Sequence, residues 1–190
     1  MKSLKCSIAV GLLFSQCILA QKNEKTILSS QGTKGSSQKE LVYNISGKIT
    51  QTHSYCGGAA PSEEMLKEYS NPKPYKGKTL YVRPGSTNNV KQPVLLKFVA
   101  DSAGKFSFQL KPGTYAIIQA EQVKELNVKN LPVGNAVQAD QECLKAWWKK
   151  PYYLLVVKDK KISGLNFNFH HPCFITSDVP CLQYMGPMPP

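Results

Sequence analysis

The sequence predicts an all-β fold, about seven strands packed as a two-sheet sandwich with short helical insertions, on three observations. Residues 94–118 hold three runs rich in β-branched and aromatic residues, cut by Asp101-Ser102-Ala103-Gly104 and by Lys111-Pro112-Gly113. Within them Phe106, Phe108 and Leu110 alternate with Ser107 and Gln109, the period of a strand with one wet face. Leu165, Phe167 and Phe169 alternate with Asn166 and Asn168 in the same way. Residues 152–157 form a continuous apolar run, as expected of a strand buried on both faces.

In chain order, Lys2 and Lys5 precede an apolar stretch that ends at Ala20, the pattern of a secretory signal peptide (1–20) cut after that residue. A lipid anchor at Cys17 is disfavoured, because Gln16 is larger than the small residue such signals want before the cysteine. No stretch is long and apolar enough for a transmembrane helix. Residues 21–39 are Ser, Gly, Lys, Gln and Thr with few apolar side chains, and read as a disordered linker. A single domain is expected over 40–190, with an irregular Pro-rich tail after His171.

The domain opens with a strand over 41–50, in which Gly47 marks a bulge or a close approach. A Gly/Ala-rich loop follows at 53–61, then a short helix with Ser62 as N-cap and acids in its first turn. Residues 79–82 give a second strand, and 84–93 a long polar loop. The runs in 94–118 then read as a three-strand meander. A second helix fits 139–148, stopping before Pro151, and strands fit 152–157 and 162–169. Leu80, Val82, Leu95, Phe106, Phe108, Tyr115, Ile117, Leu155 and Phe167 are the core candidates.

The 24 Lys and Arg outnumber the 12 Asp and Glu. Without Lys2 and Lys5, 22 cations against 12 acids leave the mature chain at +10. Nucleic acid is not the expected partner: the lysines are dispersed and Arg83 is the sole arginine. A solvated lysine surface fits better, compatible with an anionic cell surface or polysaccharide.

Gly47-Lys48-Ile49, 77–82, 101–106 and 110–115 together resemble the carboxypeptidase regulatory-like domain, a prealbumin-like sandwich similar to transthyretin and to Cna B-type repeats. The resemblance covers roughly 45–118 well and the last strand loosely. It implies a stabilising, adhesive, carbohydrate-contacting or transport-associated module, in a family whose members usually lack catalysis. Transthyretin-like hydroxyisourate hydrolases carry matching histidines and an arginine and end in a Tyr-Arg-Gly-Ser type tail, and that tail is absent here, where 184–190 read Tyr-Met-Gly-Pro-Met-Pro-Pro. Isopeptide-forming relatives place a buried lysine beside an Asn or Asp with an assisting acid, a trio that linear order cannot locate.

Cys56, Cys143, Cys173 and Cys181 remain in the mature chain, and an even number in an exported protein predicts two disulfides. The sequence favours Cys56–Cys143 with Cys173–Cys181, while pairing of Cys56 with a tail cysteine stays open. The alternative chemistry is a zinc or copper site built from His53, Cys56, His170, His171 and Cys173. Glu63-Glu64 and Glu121/Glu125 read as solvated acids rather than catalytic pairs. Trp147, Trp148, Tyr152 and Tyr153 are the candidate binding residues, expected to form an interaction face with the 53–61 loop. These observations point to a secreted or periplasmic, non-catalytic binding or structural module of the bacterial cell envelope. Its expected partner is an envelope protein or polysaccharide, and it needs no cofactor. A metal-binding envelope protein is the alternative.

Overall fold

Alternation of buried and exposed residues defines the long strands, and it sorts their apolar side chains onto one face. The computed structural model describes residues 41–127, 131 and 136–187. The expected signal peptide and linker lie outside them. In chain order the elements are β1 (Tyr43–His53), α1 (Glu63–Ser70), β2 (Lys73–Pro74), β3 (Thr79–Pro84), β4 (Leu96–Val99), β5 (Lys105–Leu110) and β6 (Gly113–Gln119). There follow β7 (Val137–Ala139), α2 (Gln141–Lys149), β8 (Tyr153–Val157), β9 (Ile162–His171) and β10 (Leu182–Tyr184).

Seven of these strands build the predicted sandwich. One sheet has β1 between β9 and β5, with the short β2 also pairing along β1; the other runs β4-β3-β6-β8. First and last long strands, β1 and β9, pair in parallel, and β1 pairs antiparallel to β5. The core between the sheets takes Ile45, Ile49, Phe106, Leu110, Phe167 and Phe169 from one side. Leu80, Val82, Phe98, Tyr115, Ile117, Leu155 and Val157 face them from the other. Phe106 stacks on Phe167 at 5.4 Å and meets Phe98 at 4.8 Å, a geometry that adds to the area these rings bury.

Two glycines serve the predicted purposes. The β1–β9 register shifts between Ile45 and Gly47, and a Cβ on Gly47 would stand 2.0 Å from the Leu165 carbonyl oxygen. Gly104 has φ of 74°, and a Cβ there would lie 2.5 Å from the Ile49 oxygen. Its turn is held by Asp101, whose Oδ1 accepts from the Ala103 and Lys105 amides at 2.8 Å each.

Three expectations of strand placement are corrected. Residues 94–118 do not form a meander: β4 and β6 each pair with β3, whereas β5 crosses to the other sheet and pairs with β1. Their tight turns are arches between sheets, which local pattern cannot distinguish from hairpins. Leu95 is 48% exposed, and Phe98 takes the inward place, one residue out of register. Residues 152–157 are not buried on both faces. There β8 is an edge strand with Leu155 and Val157 inward and Tyr153, Leu154 and Val156 exposed. The tail is irregular but packed, with Ile175 and Val179 buried.

Disulfides join Cys56 to Cys173 and Cys143 to Cys181, not the favoured pairs. The parallel β1–β9 pairing brings the ends of both strands together, so Cys56 meets Cys173 at a Cα separation of 5.4 Å. Antiparallel β7–β10 pairing does the same for Cys143 and Cys181, at 5.8 Å. The bridges span 117 and 38 residues. On chain entropy, serine replacement of the first pair should cost about 5 kcal/mol and of the second about 4. Urea unfolding of the two double variants checks that order, and a costlier Cys143/Cys181 pair would contradict it.

Candidate functional site

The insertion between β6 and β8 is anchored by a buried polar network on the outer face of the β4-β3-β6-β8 sheet. Along β3, Leu80 and Val82 point into the core, so Arg83 points outward, yet it is only 3% exposed. Its Nη1 donates to Asn88 Oδ1 at 3.0 Å and to the Asn89 oxygen at 2.6 Å, and Nη2 donates to the Val123 oxygen at 2.5 Å. Burial lowers the guanidinium pKa from its usual value. Asn88 Nδ2 passes the chain of bonds on, donating to the Gln122 and Trp148 carbonyls at 2.8 and 2.9 Å.

Gln122, fully buried, donates through Nε2 to the Trp147 and Lys150 carbonyls at 3.0 and 2.8 Å. The Asn88 amide donates to the Lys149 carbonyl at 2.9 Å. A helix ends with carbonyls that lack intrahelical partners, and Asn88 with Gln122 supplies donors to those of α2. At the other end Asp140 caps α2, accepting from Glu142 and Cys143 at 3.0 Å each. Both termini of this nine-residue helix are therefore tied down, and the Cys143–Cys181 bridge adds a covalent hold.

Against this fixed helix lies a groove of 530 Å³, lined by Val90, Leu126 and Trp148 with Asn88, Lys145 and Lys149 among its polar neighbours. The Trp148 indole Nε1 donates to the Lys124 carbonyl at 2.8 Å, which fixes the ring. Trp147 does not line the groove. Tyr152 belongs instead to the core margin: its ring stacks on Phe169 at 4.7 Å and its hydroxyl donates to the Asn168 carbonyl at 2.9 Å. Burial, with the Asp178 charge, pushes its pKa up to about 12. Tyr153 is 5.4 Å from Phe167 and 39% exposed. The four aromatics thus do not form one cluster. Among the described residues, no hydrogen bond, ring contact or disulfide joins either tryptophan to the 53–61 loop.

That loop sits at the shared end of β1 and β9. His53 and His171 meet edge to face at 4.9 Å. His170 bridges the hydroxyls of Thr52 at 3.1 Å and Ser54 at 3.0 Å. Burial and the neighbouring His171, Lys73 and His170 lower the His53 pKa. The expected convergence of the two strand ends is present, but Cys56 and Cys173 are spent on each other. Among the described residues no three His, Cys, Asp or Glu stand together as a metal-binding group.

Beneath the same end is a buried charge cluster that sequence reasoning missed. Asp178 contacts the Lys78 ammonium, accepts from the Tyr75 hydroxyl at 2.9 Å and bonds His171 Nε2 at 2.6 Å. The Lys78 and Asp178 side chains are 9% and 6% exposed. Lys78 Nζ also lies 4.4 Å from the Phe169 ring centre, a favourable cation–π placement. Burial alone would raise the Asp178 pKa; Lys78, with His171 and Tyr75, overcomes it and holds the carboxyl below its ordinary value. Burial and the bond to Asp178 raise the Tyr75 pKa. This is a lysine–aspartate ion pair, with the Tyr75 hydroxyl and the His171 ring as its further partners.

No family model matches the chain, and no curated protein matches it. Among solved structures, the TIE protein of Bacillus anthracis aligns over 68% of this chain at 10% identity and a TM-score of 0.30. This chain spans 17% of that protein. The N-terminal domain of the shaft pilin SpaA from Lactobacillus rhamnosus GG aligns over 67% of this chain and 92% of its own, at 11% identity and a TM-score of 0.35. Likenesses this distant carry no argument about function. The fold class rests on the strand pairing and core described above.

Proposed function

We propose that this protein is an exported, non-catalytic binding module of the cell envelope, and that it holds an envelope polysaccharide strand in the Trp148 groove. The observation that carries this reading is the fixation of α2. Two buried side chains and an N-cap immobilise the helix, so the Trp148 ring is presented without an ordering cost at binding. An aromatic face beside Asn, Thr and Lys side chains suits a saccharide, whose faces are apolar and whose rim is hydroxyl. The even set of bridged cysteines and the leader pattern of residues 1–20 support export. The motif resemblance to carboxypeptidase regulatory-like domains supports a module without catalysis.

Trp147 and Trp148 are the only tryptophans, so intrinsic fluorescence reports on the groove. Titration with a neutral glucan and with a uronate polysaccharide should shift the emission at least for one of them. Trp148→Ala should weaken that binding by about 2 kcal/mol, roughly 30-fold, and Trp147→Ala by much less. Equal affinity in wild type and Trp148→Ala, with the fold intact by circular dichroism, would remove the groove from the reading.

A further inference from the structure

The edge strand β8 carries a second interaction surface, which shares only Lys149 with the groove. Its only pairing partner among the described residues is β6. The direction of its backbone follows from the ladder: the Gly85 amide donates to the Thr114 oxygen, so Thr114 faces β3, and the alternate residues Tyr115 and Ile117 face β8. Tyr115 pairs with Leu155 and Ile117 with Tyr153, which turns the N–H and C=O groups of Leu154 and Val156 towards the open edge. The side chains of the same two residues are 47% and 48% exposed. A strand that offers unpaired amides and apolar side chains together is a template for another strand.

The charge around it selects the occupant. Lys149 and Lys150 stand just before β8, and Lys158, Lys160 and Lys161 just after, all exposed, with Asp159 the single acid among them. A second copy of this chain, added parallel or antiparallel, would set lysines against lysines at both ends, and like charges across a pair are destabilising. Acidic residues beyond the ends of an incoming strand meet both clusters. We propose that β8 is a strand-addition site for an extended segment of an acidic partner protein, with apolar residues at alternate positions and Asp or Glu on both flanks. Main-chain bonds to Leu154 and Val156 supply affinity, and the lysines supply register and choice of partner.

The test uses the full mature chain and fluorescein-labelled nonapeptides with alternating Thr and Val or Ile at their centre. Their flanks are Glu-Glu in one set and Lys-Lys in the other, and binding is read by anisotropy. The expected result is binding of the acidic set, at least tenfold tighter than the lysine set and weakened by salt. Val156→Pro removes an edge donor without removing a bond to β6, a substitution that edge strands tolerate, and it should weaken binding tenfold or more. Leu154→Glu, which sets a like charge against the acidic flanks and removes the apolar contact, should do likewise, and it decides the question if the proline variant does not fold. Absence of binding by every acidic peptide, equal binding of both sets, or equal binding by a folded edge variant would each overturn the proposal. So would dimerisation in sedimentation that Leu154→Lys abolishes, since β8 would then be taken by a second copy.

Discussion

Replacement of Arg83 by Leu is expected to lower the unfolding free energy by about 3–5 kcal/mol. The guanidinium is buried and bonds three oxygens, on Asn88, Asn89 and Val123. Leucine fills part of the space and answers none of them. Each buried acceptor left without a donor costs about 1–3 kcal/mol. For a domain of this size that loss corresponds to a fall in Tm of about 10 °C. Arg83→Lys should fall between, since an ammonium cannot span the same fork of acceptors. The loss should extend to the groove, because Asn88 would no longer be held against the α2 carbonyls. Thermal unfolding, with a double-mutant cycle between Arg83 and Asn88, measures both effects. A wild-type Tm in Arg83→Leu would show that the network does not anchor the insertion.

How far the sequence discloses these features follows from which interactions are local. Alternation in β5 and β9, the Asp101–Gly104 turn and the Ser62 cap of α1 are settled within a few residues and are legible; Gly47 is legible as a glycine inside a strand, although the Leu165 backbone that requires it lies far along the chain. The pairing of β4, β5 and β6 depends on partners far along the chain, so the arches look like hairpins. The disulfide pairing is hidden for the same reason: the parallel neighbourhood of β1 and β9 decides that Cys56 meets Cys173. Of the four candidate aromatics, Trp148 lies at a surface groove, whereas Tyr152 is drawn into the core margin by Phe169. Arg83 has one available signal, a lone arginine within an apolar strand of a chain otherwise built on lysine. Asp178 has none, since Lys78, Tyr75 and His171 converge on it from separate segments.

Asp178→Ala is the second large effect expected, again about 3–5 kcal/mol, because it leaves the Lys78 cation buried without its counter-charge. The second change Lys78→Met should recover much of that loss, since an uncharged side chain of similar length needs no partner there. The sign of the pH dependence follows from the lowered carboxyl pKa. In acid the unfolded chain binds a proton at Asp178 before the folded one does, so stability falls as pH drops from the ordinary carboxylate value, about 3.9, through the folded value. Above that window the contribution is fully present. Urea midpoints measured from pH 6 down to 2 should therefore fall more steeply for wild type than for the Lys78→Met/Asp178→Ala protein. Parallel slopes would mean that this pair is not the acid-sensitive element. The same protein also distinguishes an ion pair from a covalent link. An amide between Lys78 and Asp178 would lower the intact mass by one water, whereas a carboxylate held ionised by Lys78, His171 and Tyr75 is a poor electrophile and keeps it. The reduced and denatured chain should carry its full mass, and a deficit of one water that vanishes in Asp178→Ala would replace the ion pair with a bond.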